Sequence, residues 1–547
     1  MPEVRSLCQR ARHLDGMAVA IGLFCGAVYL RLSPPLFDLD GYMYRLDGLT
    51  PLEQLNQAHL LWIPCQTMLW QLSFLFNASS PRFFQVVGIL VLSIVLALSY
   101  RLWKEVVGDR WLAAVFTLYV ALSPQVWFLG TQNQPYPLLF LFVILYLMRW
   151  HTAAPGNPPL VASAVWLGLA TLFHQAAVFL FAGAAVLIFI TLSGTIHQRL
   201  RTTALWLLIS GAVVGGIYFG FGRLEGLESL ADYRQWLVGY VGDQHTLQGR
   251  LYENLARSVV GILKTVVQLE SAEYALYDRW TNLQIRHLIL ACTSILVLGA
   301  CIGLTLPRIR RSVQAWPWRN PLFLSSLAIG SSWAIFVVIW EPTHYYWVLG
   351  LFPFLTMLSL GVQNAGSATR RLMAAGFLLL TGWNLFANGK LDRSNAARFP
   401  DPQLAVIRRR ITREDLLLFL KKGWEQDVDY DLLQQCLTRE GYRVQIFLND
   451  YVVRRPGDWQ AYAAAQFKQT ISRSGRIFIS DTFFQKDLYA DLAESSFLSP
   501  YVTESYISID GKTLFMSVDQ FFRKEGIKRS DLWIGSDHLW QLGRKRV

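Results

Sequence analysis

Apolar runs of about 20 residues, the length that an α-helix needs to cross the hydrocarbon of a bilayer, recur through most of this 547-residue chain. Eleven such runs lie at 16–33, 82–103, 111–129, 135–150, 159–173, 175–195, 203–222, 287–306, 321–340, 344–361 and 370–387. The pattern predicts an α-helical polytopic membrane protein with about eleven transmembrane helices.

The composition agrees with a membrane protein that carries additional soluble mass. Hydrophobic residues make up 53% of the chain and charged residues 16%, against about 25% in ordinary soluble domains. These proportions exclude a disordered chain, a coiled coil and a disulfide-stapled secreted module. The six cysteines form no CxxC motif and no Cys/His ligand spacing, so no structural metal site is predicted.

The net charge of +12 carries information about which loops face the cytoplasm. Most basic residues of the apolar part lie in short loops between the runs, as expected for a membrane protein that retains positive loops in the cytoplasm. A nucleic-acid partner is therefore not predicted; the bilayer is the expected partner of these surfaces.

One further stretch, 60–76, is ambiguous because it contains Pro64, Gln66 and Gln71. If it does not span, every basic loop falls on the same side as the N-terminus, which carries Arg5 and Arg10. If it spans, these loops become external. The charge bias therefore predicts a juxtamembrane helix at 60–76, a cytoplasmic N-terminus and a multi-pass protein of the plasma (inner) membrane.

This topology divides the chain at about residue 390. Residues 1–390 form the predicted transmembrane domain, with long external loops at 34–81 and 223–286. Residues 391–547 alternate helical stretches with short β-rich runs such as 443–448 and 476–480, which predicts an extracytoplasmic soluble α/β domain. This part contains no GxGxxG, P-loop or GxSxG motif, so nothing indicates nucleotide binding or acyl transfer.

Two carboxylates, Asp38 and Asp40, lie just beyond the outer end of the first apolar run. One carboxylate is suited to act as general base for an acceptor hydroxyl while the other orients substrate or a metal ion. The alternative is that both are ordinary loop residues and that Asp40 caps a short helix. The residue types alone leave both interpretations open.

The wider arrangement resembles the GT-C-type membrane glycosyltransferases, which include the aminoarabinose, dolichyl-phosphate-mannose and related polyprenyl-phosphate-sugar transferases. The similarity concerns the topology of about residues 1–390: a cytoplasmic N-terminus, one span, a long external loop with an acidic pair, and a juxtamembrane helix. The segments that carry it are Asp38-Leu39-Asp40, Ala58-His59-Leu60, Ser123-Pro124, Pro135-Tyr136-Pro137 and Leu172-Phe173-His174-Gln175.

The resemblance implies transfer of a hexosyl or pentosyl group, with inversion, from a polyprenyl-phosphate-linked donor to a glycan, lipid or protein acceptor. It implies Asp40 first, and Asp38 second, as catalytic base. Many relatives carry Glu three residues after the Asp, where this chain has Met43. The choice of carboxylate therefore stays open, as does divalent metal dependence; no organic cofactor is expected and no metal ligand is assigned.

Seven further residues are predicted to bind substrate. His59 and the pair His174-Gln175 interrupt apolar surroundings, which is costly unless the polar groups are satisfied. For each, an interfacial or backbone-capping role is the alternative. The remaining candidates lie in external segments, where cationic and aromatic side chains suit a phosphate and a sugar ring. They are Arg45, Glu341, His344 and Tyr345.

Other functions compete with the transferase. A transporter or exporter would require ionisable residues at mid-membrane, which most of the runs lack. A polysaccharide polymerase or ligase also uses lipid-phosphate donors, and the acidic pair favours the transferase over it. A non-catalytic assembly protein is the remaining alternative.

Overall fold

The computed structural model describes most of the chain, in two compact units that meet in sequence at Arg393 and Ser394. The described residues are 15–33, 59–75, 81–154, 156–242, 251–268, 285–314, 317–340, 344–395, 401–419, 434, 437, 441–446, 459–480, 520, 527–534 and 537–542.

The first unit is helical. Its helices are α1 (Gly16–Leu32), α2 (Trp62–Leu75), α3 (Pro81–Val107), α4 (Arg110–Leu122), α5 (Pro124–Thr131), α6 (Tyr136–His151), α7 (Leu160–Phe173), α8 (Val178–Thr191), α9 (Ile196–Leu224), α10 (Leu230–Gly242), α11 (Leu251–Val266), α12 (Ile285–Gln314), α13 (Pro321–Trp340), α14 (His344–Trp347), α15 (Leu351–Val362) and α16 (Ser367–Asn395).

These helices make the protein a multi-pass membrane protein. Five described helices have the length and hydropathy of a full span, and the pair α4–α5, bent by 62° at Ser123-Pro124, adds a sixth if it is one span. Five shorter apolar helices accompany them. Each predicted apolar run thus contains a helix or this bent pair, while the number of complete crossings, eleven, stays a prediction.

Helices α1 and α3 pack closely against each other. A Cβ built on Gly22 would lie 2.9 Å from the Ser93 carbonyl oxygen, and one built on Gly26 would lie 2.9 Å from the Ser93 hydroxyl. Small residues thus let the two backbones approach closely, as is common between membrane helices. Asp15, which caps α1, forms an ion pair with Lys104 near the end of α3. The helices are therefore antiparallel.

Because α3 returns towards the end at which α1 starts, the intervening helix α2 does not cross the bundle. At 14 residues, α2 is also shorter than the 17–25 residues of typical spans. This helix lies within the segment 60–76, for which the charge pattern predicts a juxtamembrane helix.

The bundle has two chemically different ends. At the first, which we call the basic end, Lys104 pairs with Asp15, and Arg370 lies 3.9 Å from Asp109. The opposite end, which we call the polar end, begins where Gln85 of α3 donates a 2.9 Å hydrogen bond to the Thr131 carbonyl. Gln85 and Lys104 are separated along α3 by about 28 Å at 1.5 Å per residue, close to the thickness of a bilayer core.

The second unit contains helices α17 (Asp401–Arg410) and α18 (Trp459–Ser472) and a five-stranded sheet. The strands are β1 (Leu416–Phe419), β2 (Arg443–Ile446), β3 (Ile477–Ser480), β4 (Ile527–Ile534) and β5 (Asp537–Leu542), in the order β2-β1-β3-β5-β4. The first three strands of that order are parallel, and β5 and β4 continue the sheet antiparallel. β1 and β3 are buried along their whole length, as central parallel strands covered on both faces are.

An ion pair links the starts of β1 and β3. Arg476 donates a 2.8 Å hydrogen bond through Nη2 to Asp415, whose other carboxylate oxygen accepts from the Arg476 backbone. Burial raises the pKa of Asp415, but the hydrogen bonds from Arg476 and from the Thr412 backbone outweigh it and hold that pKa below its ordinary value.

Candidate active site at the polar end

Three of the nine predicted site residues have described side chains: His59, His174 and Gln175. The others lie outside the described residues or, for two positions in α14, have side chains outside them. These are Asp38, Asp40, Arg45, Glu341, His344 and Tyr345.

The two histidines, 115 positions apart in the sequence, lie side by side at the polar end. Their ring centroids are 4.8 Å apart at an interplanar angle of 84°. His59 is 8% exposed and His174 is 5% exposed, so both rings are buried. The structure thus brings together two residues that the sequence only places separately beside apolar segments.

Backbone hydrogen bonds fix this pair. Helix α7 ends at Phe173, and His174 leaves it in an extended conformation, with φ −151° and ψ 106°. The Leu61 backbone N–H then donates to the Leu172 carbonyl at 2.9 Å, and His59 Nδ1 lies 3.1 Å from the Phe173 carbonyl oxygen. The segment before α2 therefore satisfies two of the carbonyls that the end of α7 leaves without helical partners.

Aromatic side chains surround His174. Its Nε2 lies 3.1 Å from the Tyr136 hydroxyl, at the start of α6. The rings of Tyr346 and Trp333 approach edge-on, with centroids 6.1 Å and 6.4 Å from that of His174. The Trp333 indole N–H donates a 2.6 Å hydrogen bond to the Tyr346 carbonyl. Helices α6, α7, α13 and α14 thereby converge on one imidazole.

A second polar contact joins the same segments. Asn133, in the corner between α5 and α6, donates a 2.9 Å hydrogen bond through Nδ2 to Gln66 Oε1 of α2. Both side chains are buried. We call His59, Gln66, Asn133, Tyr136 and His174 the polar cluster.

The polar cluster retains hydrogen-bonding capacity. Among the residues that the structure describes, His174 Nδ1, Gln66 Nε2 and the nearby Trp62 Nε1 are buried and have no hydrogen-bond partner. Leaving a buried polar group unsatisfied costs about 1–3 kcal/mol. Groups of this kind are therefore suited to bind the hydroxyl or phosphate oxygens of a ligand.

Both histidines are neutral at neutral pH. Burial lowers the pKa of His59 to about 4, although its hydrogen bond to the Phe173 carbonyl opposes this shift. Burial, and then the neighbouring His59, lower the pKa of His174 well below its ordinary value. Since the Phe173 oxygen can only accept, His59 carries its proton on Nδ1 and keeps a lone pair on Nε2.

Gln175 does not join the polar cluster. Its Nε2 donates a 3.3 Å hydrogen bond to the Leu237 carbonyl of α10, so the side chain ties that helix to the corner after α7. Among the described contacts it therefore has a structural role, and its predicted role in substrate binding stays a prediction.

Gln66, Asn133 and Tyr136 were not among the predicted substrate-binding residues. The available signal was the run Thr131-Gln132-Asn133-Gln134, four polar residues between apolar helices and directly before Tyr136. All four are buried in the structure, which is expensive unless they are hydrogen-bonded.

The described donor groups do not form a metal site. Within the described part of the chain, no group of three His, Cys, Asp or Glu side chains is placed to hold a metal ion. The polar cluster offers two imidazoles and neutral amides. The acidic pair Asp38 and Asp40, which the sequence offers as candidate metal-orienting carboxylates, lies outside the described residues.

No protein-family model matches the sequence, and no curated protein sequence matches it. Solved structures do. ArnT from Cupriavidus metallidurans, crystallised with bound undecaprenyl phosphate, has a TM-score of 0.51 at 12% identity, over 97% of this chain and 98% of that chain. AglB, the oligosaccharyltransferase of Archaeoglobus fulgidus in complex with an inhibitory peptide and a dolichol-phosphate, has a TM-score of 0.45 at 12% identity, over 97% and 75% respectively.

The first of these similarities establishes the fold. It extends over nearly the whole of both chains, so the GT-C resemblance inferred from the topology is confirmed at the level of fold.

Proposed function

We propose that this chain is an integral membrane glycosyltransferase that moves a sugar from a polyprenyl-phosphate-linked donor to an acceptor on the extracytoplasmic face, with inversion. The observation that carries the proposal is the polar cluster, a buried and incompletely hydrogen-bonded site at the end of the bundle opposite the basic loops. The fold shared with ArnT, which was crystallised with undecaprenyl phosphate, supports the class of donor.

The reaction is a single displacement. Asp40, or Asp38, removes the proton from an acceptor hydroxyl as that oxygen attacks the anomeric carbon of the donor sugar. The new C–O bond forms while the bond to the lipid phosphate breaks, and the phosphate oxygen leaves with the electron pair. A cation such as Arg45 would stabilise the phosphate.

In this mechanism the polar cluster positions the sugar. His174 Nδ1 and Gln66 Nε2 supply buried hydrogen-bonding groups without a described partner, and neutral His59 lies against His174. Neutral groups suit this role because they orient hydroxyls without holding the departing phosphate. Glu341, His344 and Tyr345 are proposed as further sugar-binding residues, on the basis of the sequence.

The proposal also assigns the sides of the membrane. The basic end faces the cytoplasm together with the N-terminus, and the polar end and the second unit are extracytoplasmic. Alkaline phosphatase fused after residue 390 is expected to be active, and fused after Arg311 inactive. The opposite pattern would place the polar cluster in the cytoplasm and overturn the proposed acceptor side.

Mass spectrometry of lipid-linked sugars in a strain that lacks the gene tests the function directly. Loss of the transferase is expected to raise the level of one polyprenyl-phosphate monosaccharide and to remove that sugar from a surface glycan, lipid or protein. Restoring the wild-type gene should reverse both changes. An unchanged pool of lipid-linked sugars together with unchanged surface glycans would contradict the proposal.

A further inference from the structure

A cavity of about 390 Å³ opens at the basic end, far from the polar cluster. Its walls come from the ends of α6 and α8, the connection between α6 and α7, and the start of α13. The residues that define its character are Trp150, Gly156, Ile190, Trp318, Arg319 and Leu324.

Two connections are joined beside this cavity. The backbone N–H and the hydroxyl of Ser193 lie 3.4 Å and 3.3 Å from the Gly156 carbonyl oxygen, to which both are hydrogen-bonded. Gly156 has φ +77°, a conformation that residues with a Cβ rarely adopt. The wall formed by the 152–158 connection is therefore held against the end of α8.

The cavity is cationic. Arg319 lines it, is exposed, and has no ion-pair or hydrogen-bond partner within the described part of the chain. Several other cations at this end are matched, for example Lys104 by Asp15 and Arg370 by Asp109. The cavity lining contains no acidic residue. An anionic group is therefore the complementary ligand.

The apolar side of the cavity continues onto the surface that faces lipid. Ile190 lines the cavity and is 47% exposed, and Val186, one turn earlier on the same face of α8, is 61% exposed. Trp318, 55% exposed at the cavity rim, has the amphipathic ring that favours the membrane interface. A ligand with both a charged group and a hydrocarbon chain fits these two surfaces together.

We propose that this cavity binds an anionic phospholipid of the leaflet at the basic end, with its phosphate on Arg319 and one acyl chain along Val186 and Ile190. The site is separate from the polar cluster, and its occupancy does not depend on the proposed transfer reaction. A water-soluble phosphate would satisfy Arg319 but would leave the apolar side of the cavity without a contact.

Native mass spectrometry of the purified full chain tests the site with dioleoyl phosphatidylglycerol and, as the zwitterionic comparison, dioleoyl phosphatidylcholine. We expect wild-type protein to retain phosphatidylglycerol preferentially. Arg319→Gln should weaken phosphatidylglycerol binding about fivefold, the effect of one basic residue at a membrane surface. Arg371→Gln, an exposed position at the same end but outside the cavity, should leave binding unchanged.

Two further arms make the result decisive. Glycerol 3-phosphate at millimolar concentration should not displace phosphatidylglycerol; if it does, the cavity takes a soluble phosphate and the lipid assignment is wrong. Trp318→Ala, at an exposed position that should not affect folding, is expected to weaken the binding of both lipids. Equal retention of the two lipids by wild-type protein, or unchanged binding by Arg319→Gln, would overturn the proposal.

Discussion

The polar side chains at the two ends of the bundle differ in charge, burial and hydrogen bonding. At the basic end, side chains of opposite charge pair with one another at partly exposed positions, as Asp15 and Lys104 do. In the polar cluster the side chains are neutral and buried, and some of their polar atoms have no described hydrogen-bond partner, as His174 Nδ1 and Gln66 Nε2 show. Exposed ion pairs contribute little to stability, whereas buried unsatisfied groups are costly. Sugar transfer is therefore expected at the polar end. The charges at the basic end are expected to set the orientation of the protein in the membrane.

The largest expected effect is on the proposed catalytic base. Asp40→Asn removes the base while keeping the shape of the side chain, so sugar transfer should fall by ~10²–10⁴-fold with normal expression. Transfer by purified protein to its native acceptor, normalised to protein level, measures this. Asp47→Asn, in the same segment but outside the acidic pair, is the matched control and should remain active.

The result also decides between the two carboxylates. If Asp40→Asn is active and Asp38→Asn is inactive, the base is Asp38. Near wild-type transfer by both single variants and by the double variant would show that neither carboxylate is catalytic.

The next effect concerns the hydrogen bond between His174 and Tyr136. His174→Phe should lower transfer by roughly tenfold, the contribution of a hydrogen bond to a substrate hydroxyl. Because His174→Phe and Tyr136→Phe each remove one partner of the same bond, the double variant should cost about 1 kcal/mol less stability than the sum of the singles. Thermal unfolding in detergent measures the coupling.

Tyr146→Phe is the control for this cycle. Tyr146 is buried on the same helix as Tyr136, ten residues nearer the basic end, so its loss should leave transfer unchanged. Equal losses of transfer in Tyr146→Phe and His174→Phe would assign the effect to general packing.

Acidification should destabilise the polar end selectively. The pKa of His59 is about 4 in the folded protein against 6.5 unperturbed, so its contribution to stability is complete above pH 6.5 and is lost as the pH falls from there towards 4. At pH 5 the loss is about 2 kcal/mol. The pKa of Asp15 is lowered chiefly by its hydrogen bond with Lys104, so that pair loses stability only at lower pH.

Unfolding temperatures at pH 7 and pH 5, compared between wild type and His59→Gln, measure this difference. The variant should lose less stability on acidification than wild type does. An identical loss in both proteins would assign the pH dependence to other groups.

The smallest effect is expected at the basic end. Lys104→Gln removes the partner of Asp15, but the pair is partly exposed. Asp15 still caps α1 by accepting a hydrogen bond from the Met17 backbone N–H. The change should cost at most about 1 kcal/mol and should leave sugar transfer unaltered. A large loss of transfer in this variant would contradict the division of roles between the two ends.

Much of the fold was predictable because its signals are local. Each apolar run became a helix or the bent pair, since a long apolar segment in lipid must satisfy its own backbone. The break between α4 and α5 coincides with Ser123-Pro124, where proline removes a helical hydrogen bond. The runs at 443–448 and 476–480 contain β2 and β3, whereas β4 and β5 were not predicted, because their sequences include several charged residues.

The candidate site was less predictable. His59 and His174 were predictable as site residues because polar residues in apolar surroundings need partners, but nothing in the sequence placed one against the other. Gln175 was assigned the same role as its neighbour; its side chain donates a hydrogen bond to the Leu237 carbonyl, and its role in substrate binding stays a prediction. Tyr136 was named only within the segment Pro135-Tyr136-Pro137 that carries the resemblance, and it was assigned no role in binding.

The sequence by itself determined the class of protein, the positions of the apolar segments and the separation of basic loops from polar corners, because hydropathy and charge act on each segment independently. Only the tertiary structure decided which corners meet. The His59–His174 contact depends on two carbonyls at the end of α7 accepting hydrogen bonds from the segment before α2, and the Gln66–Asn133 contact depends on α2 remaining at the polar end. Such contacts join residues 67 to 115 positions apart, and they follow from packing between helices, which no local pattern encodes.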